Sequence, residues 1–245
     1  YSPHNVSGMD FLKSGKAGKI TEVRAFVNYG WGVNVQPDPV EAVPQGLDWD
    51  FYCGPSEKLA YSKNIHPRGW RQYGAFANGL LGAWAPHWFD QILWWTEEKA
   101  PRRIFSNARY PDVVGGRNMP QSQVAVYEFE GFTATWEHSL NNQRPQQPGE
   151  NVGVHFYGSE GTFHMGWQQG WTFYPSDPNK DIITQAAQLD QPDSQNIRLV
   201  WQDFMASIKS GKSPHADIEH GRQATNMSLL GMLSARLGRS LIWDE

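Results

Sequence analysis

A single cysteine, Cys53, stands in 245 residues. That is too few for an internal disulfide or for a multi-cysteine zinc or iron–sulfur site. Basic runs are also missing: 21 Lys and Arg face 25 Asp and Glu, a formal charge of −4, whereas a nucleic-acid footprint needs clustered cations. Nucleic acid is therefore not an expected partner. No stretch reaches the ~20 apolar residues of a membrane span. The most apolar run, 79–95, is broken by Pro86, His87 and Asp90, so membrane insertion is not expected either. The opening has no charged segment followed by an apolar one, and the chain reads as starting inside an element, without a leader. No Gly-x-Gly-x-x-Gly follows a strand, and Gly-x-x-x-x-Gly-Lys-Ser/Thr, Gly-x-Ser-x-Gly and His-Glu-x-x-His do not occur. These absences exclude a nucleotide-phosphate cradle within the chain, the commonest serine-hydrolase signature and a zincin motif, and no metal is expected. What the chain has in excess is tryptophan, 12 in all. An indole offers a rigid stacking face and one N–H donor, which suits a sugar as well as a core. Composition leaves both roles open.

Periodicity sets out the elements. Pro3–Lys13 reads as a helix ended by Ser14-Gly15. Ile20 to Tyr29 alternates, with Val23, Ala25, Val27 and Tyr29 on one face and Glu22, Arg24, Phe26 and Asn28 on the other, which predicts a half-buried strand. Residues 30–46 read as a long loop, and a second loop holds Asp48-Trp49-Asp50 and Gly54-Pro55. From Gly79 to Glu97 the residues Leu81, Trp84, Trp88, Ile92 and Trp95 form one helical stripe, with Pro86 expected to disturb its first half. Beyond Pro101 the period becomes two. Hairpins are expected around Glu130-Gly131 and around Gly158–Gly161, with a further strand at Trp171–Tyr174 and a polar loop from Asn141 to Glu150. Two helices close the pattern, Asn196–Ser210 before Gly211 and a last one capped by Asp217 that stops at Gly238. Small residues at Gly221, Ala224, Ser228, Gly231, Ala235 and Gly238 mark a face for close backbone approach, and Met227, Leu230, Leu233 and Leu237 fill its neighbour. The class is α+β, with no alternating βαβ pattern and no internal repeat.

The segment 70–90 carries the most chemistry. His87 and Asp90 are three apart, and His87 and Ala83 are four apart, so a helix puts them on one side. An imidazole beside a carboxylate serves as a general acid/base near neutral pH, or simply as a hydrogen-bonded histidine in a packing face. Asp48 and Asp50, two apart in an extended segment, would sit too close for two-carboxylate glycoside hydrolysis.

Taken in order, several motifs match one family: Ser14-Gly15-Lys16-Ala17-Gly18-Lys19-Ile20, Leu47-Asp48-Trp49-Asp50 with Gly54-Pro55, Trp70-Arg71, Gly79 to Asp90 around His87, Tyr157-Gly158-Ser159-Glu160-Gly161, and Gly238-Arg239 with Trp243-Asp244. Over essentially its whole length, 1–245, the chain resembles the C-terminal, substrate-binding and oligomerisation domain of the Gfo/Idh/MocA oxidoreductases, NAD(P)-dependent sugar and cyclitol dehydrogenases. The resemblance implies an open, mostly antiparallel β-sheet with helices packed on one face, dihydrodipicolinate-reductase-like, and a homo-oligomer formed through the open face. It implies NAD or NADP in the complete protein, held by a preceding Rossmann domain that these residues do not include, and none bound by this chain alone. His87 matches the catalytic position, where it would take the proton from the hydroxyl whose carbon loses hydride. Asn28, Trp31, Trp70, Arg71, Tyr73, Trp84 and Asp90 fall where the family's sugar or polyol pocket would lie. One departure stands out: the family's helix usually presents an Asp one turn before the histidine, and here that position is Ala83. This keeps open a glycosidase or lyase using recycled NAD, and a non-catalytic carbohydrate-binding module. Relatives occur in the bacterial periplasm, exported folded, and in the cytoplasm.

Overall fold

The computed structural model describes residues 1–30, 35–141, 149–191 and 196–244. Its elements run α1 (Pro3–Lys13), β1 (Ile20–Asn28), α2 (Trp49–Cys53), a 3₁₀ turn (Gly69–Gln72), α3 (Gly79–Thr96), β2 (Arg103–Arg109), β3 (Ser122–Glu128), β4 (Thr133–Ser139), β5 (Val152–Gly158), β6 (Gly161–Gly166), β7 (Trp171–Pro175), β8 (Ile183–Gln185), α4 (Ile197–Ser210), α5 (Ile218–Leu237) and β9 (Leu241–Ile242). The strands form one open sheet in the order β8-β7-β6-β5-β1-β4-β3-β2-β9. Each neighbouring pair is antiparallel except β1 and β4.

Register explains why the helices share one face. Trp171, Met165, Val154, Ala25, Trp136, Ala125 and Ser106 line up as one row across β7, β6, β5, β1, β4, β3 and β2. Side chains in one row project to the same side, and all seven are buried. Phe11 of α1 packs on Trp171 with ring centroids 5.2 Å apart. Phe89 of α3 packs on Trp136 at 6.3 Å and on Tyr127 at 4.7 Å. Ser234 of α5 accepts a hydrogen bond from the Ser106 amide at 3.0 Å. Two glycines allow the closest approaches: a Cβ at Gly8 of α1 would meet Met165 at 2.6 Å, and one at Gly231 of α5 would meet the Tyr127 hydroxyl at 2.5 Å. His138, on the same sheet face, accepts at Nδ1 from Trp136 Nε1. Its Nε2 proton therefore goes to the Pro120 carbonyl. Burial holds this neutral imidazole down at about 4.

Several sequence expectations need correction. β1 is half-buried only in its first half, because it lies mid-sheet and Phe26 on its outer side stacks with His155 and His164. The segment around Asp48 and Asp50 is not extended loop: Asp48 caps α2 by accepting from the Phe51 amide, and Asp50 pairs with Lys58 at 2.9 Å. Pro86 does not interrupt α3, which is continuous and forgoes only the one backbone bond that proline cannot donate. On α5, Leu233 and Leu237 are half-exposed rather than filling a buried face, and Gly221 looks onto open space. The polar loop expected at 141–150 lies largely outside the described residues.

A second, smaller core gathers Trp49, Cys53, Tyr61, Ile65 and Tyr73, with Tyr52, Trp70 and Phe76 packed against it. It anchors the 3₁₀ turn and so carries Arg68 and Arg71 to the end of α3.

Candidate functional site

α3 crosses the sheet face and presents Ala83, Trp84, His87 and Asp90 beyond it. His87 lies between two cavities and lines both, as does Trp167 from the turn between β6 and β7. The rings form a cluster: Trp84 lies 5.9 Å from His87 and 5.0 Å from Trp167 between centroids, and His87 lies 6.1 Å from Trp167. Tyr29, at the end of β1, closes against Trp84 at 5.9 Å.

The turn carrying Trp167 is held from below. Glu150, 5% exposed, accepts from the backbone amides of Gln168 and Gln169 with one oxygen and meets His164 Nε2 at 3.2 Å with the other. A buried carboxylate saturated in this way is well satisfied, and removing it would leave the turn amides unpaired.

The first cavity, about 420 Å³, opens between the N-terminal ends of α1, α4 and α5 and the middle of α3. Its ionisable walls are Tyr1, His4, His87, Asp90, Asp217 and His220. Burial pushes the Asp90 carboxyl above its usual range, opposed by Coulombic interactions with His220, the Tyr1 amino group and His87. Hydrogen bonds from His220, backbone and ring, hold Asp217 below its usual range. The second cavity, about 650 Å³, is lined by Tyr29, Arg68, Arg71, Gln72, Ala83, Trp84 and Arg117 besides the two shared rings. Here burial raises the Tyr29 phenol to about 12.

The His87 side chain is exposed to solvent, yet partial burial against its neighbours lowers its pKa, with the Asp90 charge pulling the other way. A neutral imidazole is thus favoured at neutral pH, the form a proton acceptor needs. No hydrogen bond joins His87 to Asp90 among the described residues. The coupling between them is Coulombic, because three residues along the helix turn Asp90 toward the first cavity while the imidazole leans on Trp84 and Trp167.

Of the residues singled out from sequence, His87, Trp84, Arg71 and Asp90 come together around these cavities. Three do not reach them. Asn28 is 3% exposed on the opposite sheet face, since strand alternation gives the helix side to Val27 and Tyr29. Tyr73 is turned into the smaller core, its hydroxyl donating to Asp38 at 2.7 Å. Trp70 supports the cavity wall from behind, with the Arg71 guanidinium 4.5 Å over its ring. Trp31 lies outside the described residues. Tyr29 belongs to the strand end, 28–31, that the resemblance put at the pocket wall, whereas Arg68, Arg117 and Trp167 were missed. Tyr29 was legible as the helix-side residue that alternation puts beside Val27, whereas Arg117 and Trp167 arrive from distant connections with no local signature.

Among the described residues no group of three or more His, Cys, Asp or Glu is placed to hold a metal ion, and no helix is long and apolar enough to cross a membrane. The phosphates of a dinucleotide do not fit the helix ends at the first cavity. α5 opens with Asp217 on its own cap and Glu219 in its first turn, and Asp90 faces the same space, so an anion there would be repelled.

Residues 54–164 match the family described as the GFO/IDH/MocA C-terminal domain. No curated protein matches the chain. Levoglucosan dehydrogenase, solved with NADH and levoglucosan, is similar at a TM-score of 0.65 and 15% identity, covering 96% of this chain and 62% of its own. Aldose-aldose oxidoreductase from Caulobacter crescentus, solved with glycerol, is similar at 0.65 and 14%, covering 99% and 61%. An oxidoreductase domain protein from Kribbella flavida is similar at 0.66 and 15%, covering 99% and 63%. The chain spans about three fifths of the length of these structures. At such identities the likeness establishes the fold. Family match and fold point the same way: residues 54–164 match the GFO/IDH/MocA C-terminal domain, and the open, mostly antiparallel sheet is the one these oxidoreductase structures share.

Proposed function

We propose that this chain is the substrate half of an NAD(P)-dependent oxidoreductase acting on a sugar-like alcohol, with His87 as the proton acceptor. The observation that carries the reading is His87 itself: a histidine biased toward its neutral form, held between two aromatic rings at the boundary of two cavities. The larger cavity, walled by Tyr29, Trp84 and Trp167, takes the substrate, whose ring stacks on indole. His87 removes the hydroxyl proton as the carbon beneath that hydroxyl gives up hydride. A bound nicotinamide coenzyme supplies the hydride acceptor, and since the helix ends at the first cavity do not suit its phosphates, another domain holds it in this reading. Asp90 tempers the electrostatics of the imidazole without touching it. Ala83 contributes a methyl group to the cavity wall and no charge. Residues 1–245 act as one substrate domain in this reading. Its outer sheet face, with half-exposed Phe105 and Val124, is the surface through which copies pair.

The test is turnover of the complete gene product with NAD⁺ or NADP⁺ and a panel of sugars and polyols, following NADH or NADPH. Stoichiometric reduced coenzyme and a loss of about 100-fold or more in His87→Ala are expected. A wild-type rate in that variant, or product formed with no net reduced coenzyme, defeats the reading.

A further inference from the structure

The larger cavity has a charge pattern that a neutral sugar does not explain. Arg68, Arg71 and Arg117 line it, and among the described residues no aspartate or glutamate does. Among the described residues none of the three makes an ion pair. Asp38 stands behind this wall, its Oδ2 accepting from Tyr73 at 2.7 Å and its Oδ1 from Asn64 at 2.8 Å, and its single charge offsets at most one of the three guanidinium groups. Three guanidinium groups gathered on one concave wall repel one another, and a protein of net charge −4 does not produce such a cluster from general composition. A cleft lined by one sign of charge concentrates the opposite sign.

The arginines are also presented for recognition. The Arg71 guanidinium carbon stands 4.5 Å from the Trp70 ring centroid, a cation–π contact that steadies the group and leaves its N–H donors for a ligand. Arg117 is steadied by a hydrogen bond to the Tyr73 hydroxyl, and Tyr73 is itself anchored in the smaller core. Planar forks held in this way match the paired oxygens of a carboxylate or a phosphate.

We propose that the substrate is anionic: a sugar or polyol bearing an oxyanion group, carboxylate or phosphate ester, held by Arg68, Arg71 and Arg117 while a hydroxyl of the same molecule reaches His87. The proposal rests on the reading of His87 as proton acceptor.

The experiment is calorimetry on the complete gene product with D-glucuronate, D-glucose 6-phosphate and D-glucose, followed by steady-state rates with each. One of the two anions binds at least about 30-fold tighter than glucose, the affinity falls as salt is raised, and Arg71→Gln and Arg117→Gln each weaken it about tenfold or more. Arg103→Gln, on β2, serves as the charge control and leaves it unchanged. Preference for glucuronate assigns a carboxylate, and preference for the phosphate assigns an ester. Equal affinity for all three compounds, no binding of either anion at millimolar concentration, or affinity indifferent to both arginine variants overturns the proposal. So does an arginine dependence seen with NADP⁺ and not with either sugar anion. The two readings fail separately. His87→Ala that keeps full turnover overturns the proton-acceptor role while the arginine-dependent binding stands. Turnover that needs His87 but ignores the arginines overturns only the anionic substrate.

Discussion

On one side of His87 the cavity wall is made of Asp90 in the middle of α3 and of His4, Asp217 and His220 at the N-terminal ends of α1 and α5; on the other it is made of Arg68, Arg71 and Arg117 on connections pinned to a small aromatic core. The two spaces share His87 and Trp167 and little else. A residue placed on such a boundary feels opposing fields, and its protonation state is set by the protein around it rather than by any single neighbour. The difference also separates tasks. The acidic side repels phosphates and tunes the imidazole, while the cationic side is shaped to take an anion and offers aromatic faces for a ring.

The largest expected effect is at the shared histidine. His87→Ala lowers kcat/KM by about 100-fold or more, and the Asp90 variants described below should have no further effect in that background. Activity that still depends on Asp90 without His87 would break the idea that one cavity acts on the other through this residue. Next comes the shared wall. Trp167→Ala joins the two spaces and removes a stacking face, so kcat/KM falls about tenfold, close to 1.4 kcal/mol, mostly in KM. An unchanged KM would mean that the substrate does not lean on this indole.

A smaller effect is expected from Asp90→Asn, and its sign follows from the two opposing influences on His87. Burial lowers the imidazole pKa and the Asp90 charge raises it. A proton acceptor is active only when neutral, so kcat/KM falls on the acid side as pH drops through that pKa. Without the Asp90 charge the pKa is lower still, and the acid limb moves to lower pH by up to about one unit. A limb that moves upward contradicts the arrangement. The pH dependence of initial rates for the two proteins decides it.

The mildest test compares two glycines of α5. Gly221 lines the acidic cavity, and a Cβ added there would find nothing within 4 Å, whereas a Cβ at Gly231 would meet Tyr127 at 2.5 Å and Leu81 at 3.0 Å. Gly221→Ala should therefore raise stability by up to about 1 kcal/mol, and Gly231→Ala should lower it by roughly 1–3 kcal/mol. Denaturant midpoints measure both. Equal effects would mean that α5 does not press on the sheet where Gly231 stands.

Much of the architecture was legible beforehand because it rests on local physics. Pro3–Lys13, the two hairpins and the last helix with its Asp217 cap follow from period, turn glycines and capping groups, all of which act within a few residues. The misread places are those where distant contacts prevail. Phe26 faces the outer side of β1 and is still buried, because β5 and β6 bring His155 and His164 over it. α4 shows the limit from the other direction. The sequence predicts this helix, and its Ile197, Val200, Trp201, Phe204 and Ile208 are all exposed among the described residues. Periodicity specifies that a face is apolar and is silent on what meets it.

The candidate site divides the same way. His87, Trp84 and Asp90 belong to one helix, so their adjacency was implied by spacing of three and four. Arg71 came with a short motif. Trp167, Arg117 and Arg68 joined them only through the sheet register, the buried Glu150 that fixes one turn, and the smaller core that carries another. The sequence by itself determined the elements, their order and the helix that presents the histidine, since hydrophobic period and turn chemistry are properties of neighbours along the chain. The tertiary structure alone decided which side of that histidine is acidic and which is cationic, because charges more than a hundred residues apart meet only when nine strands are in register.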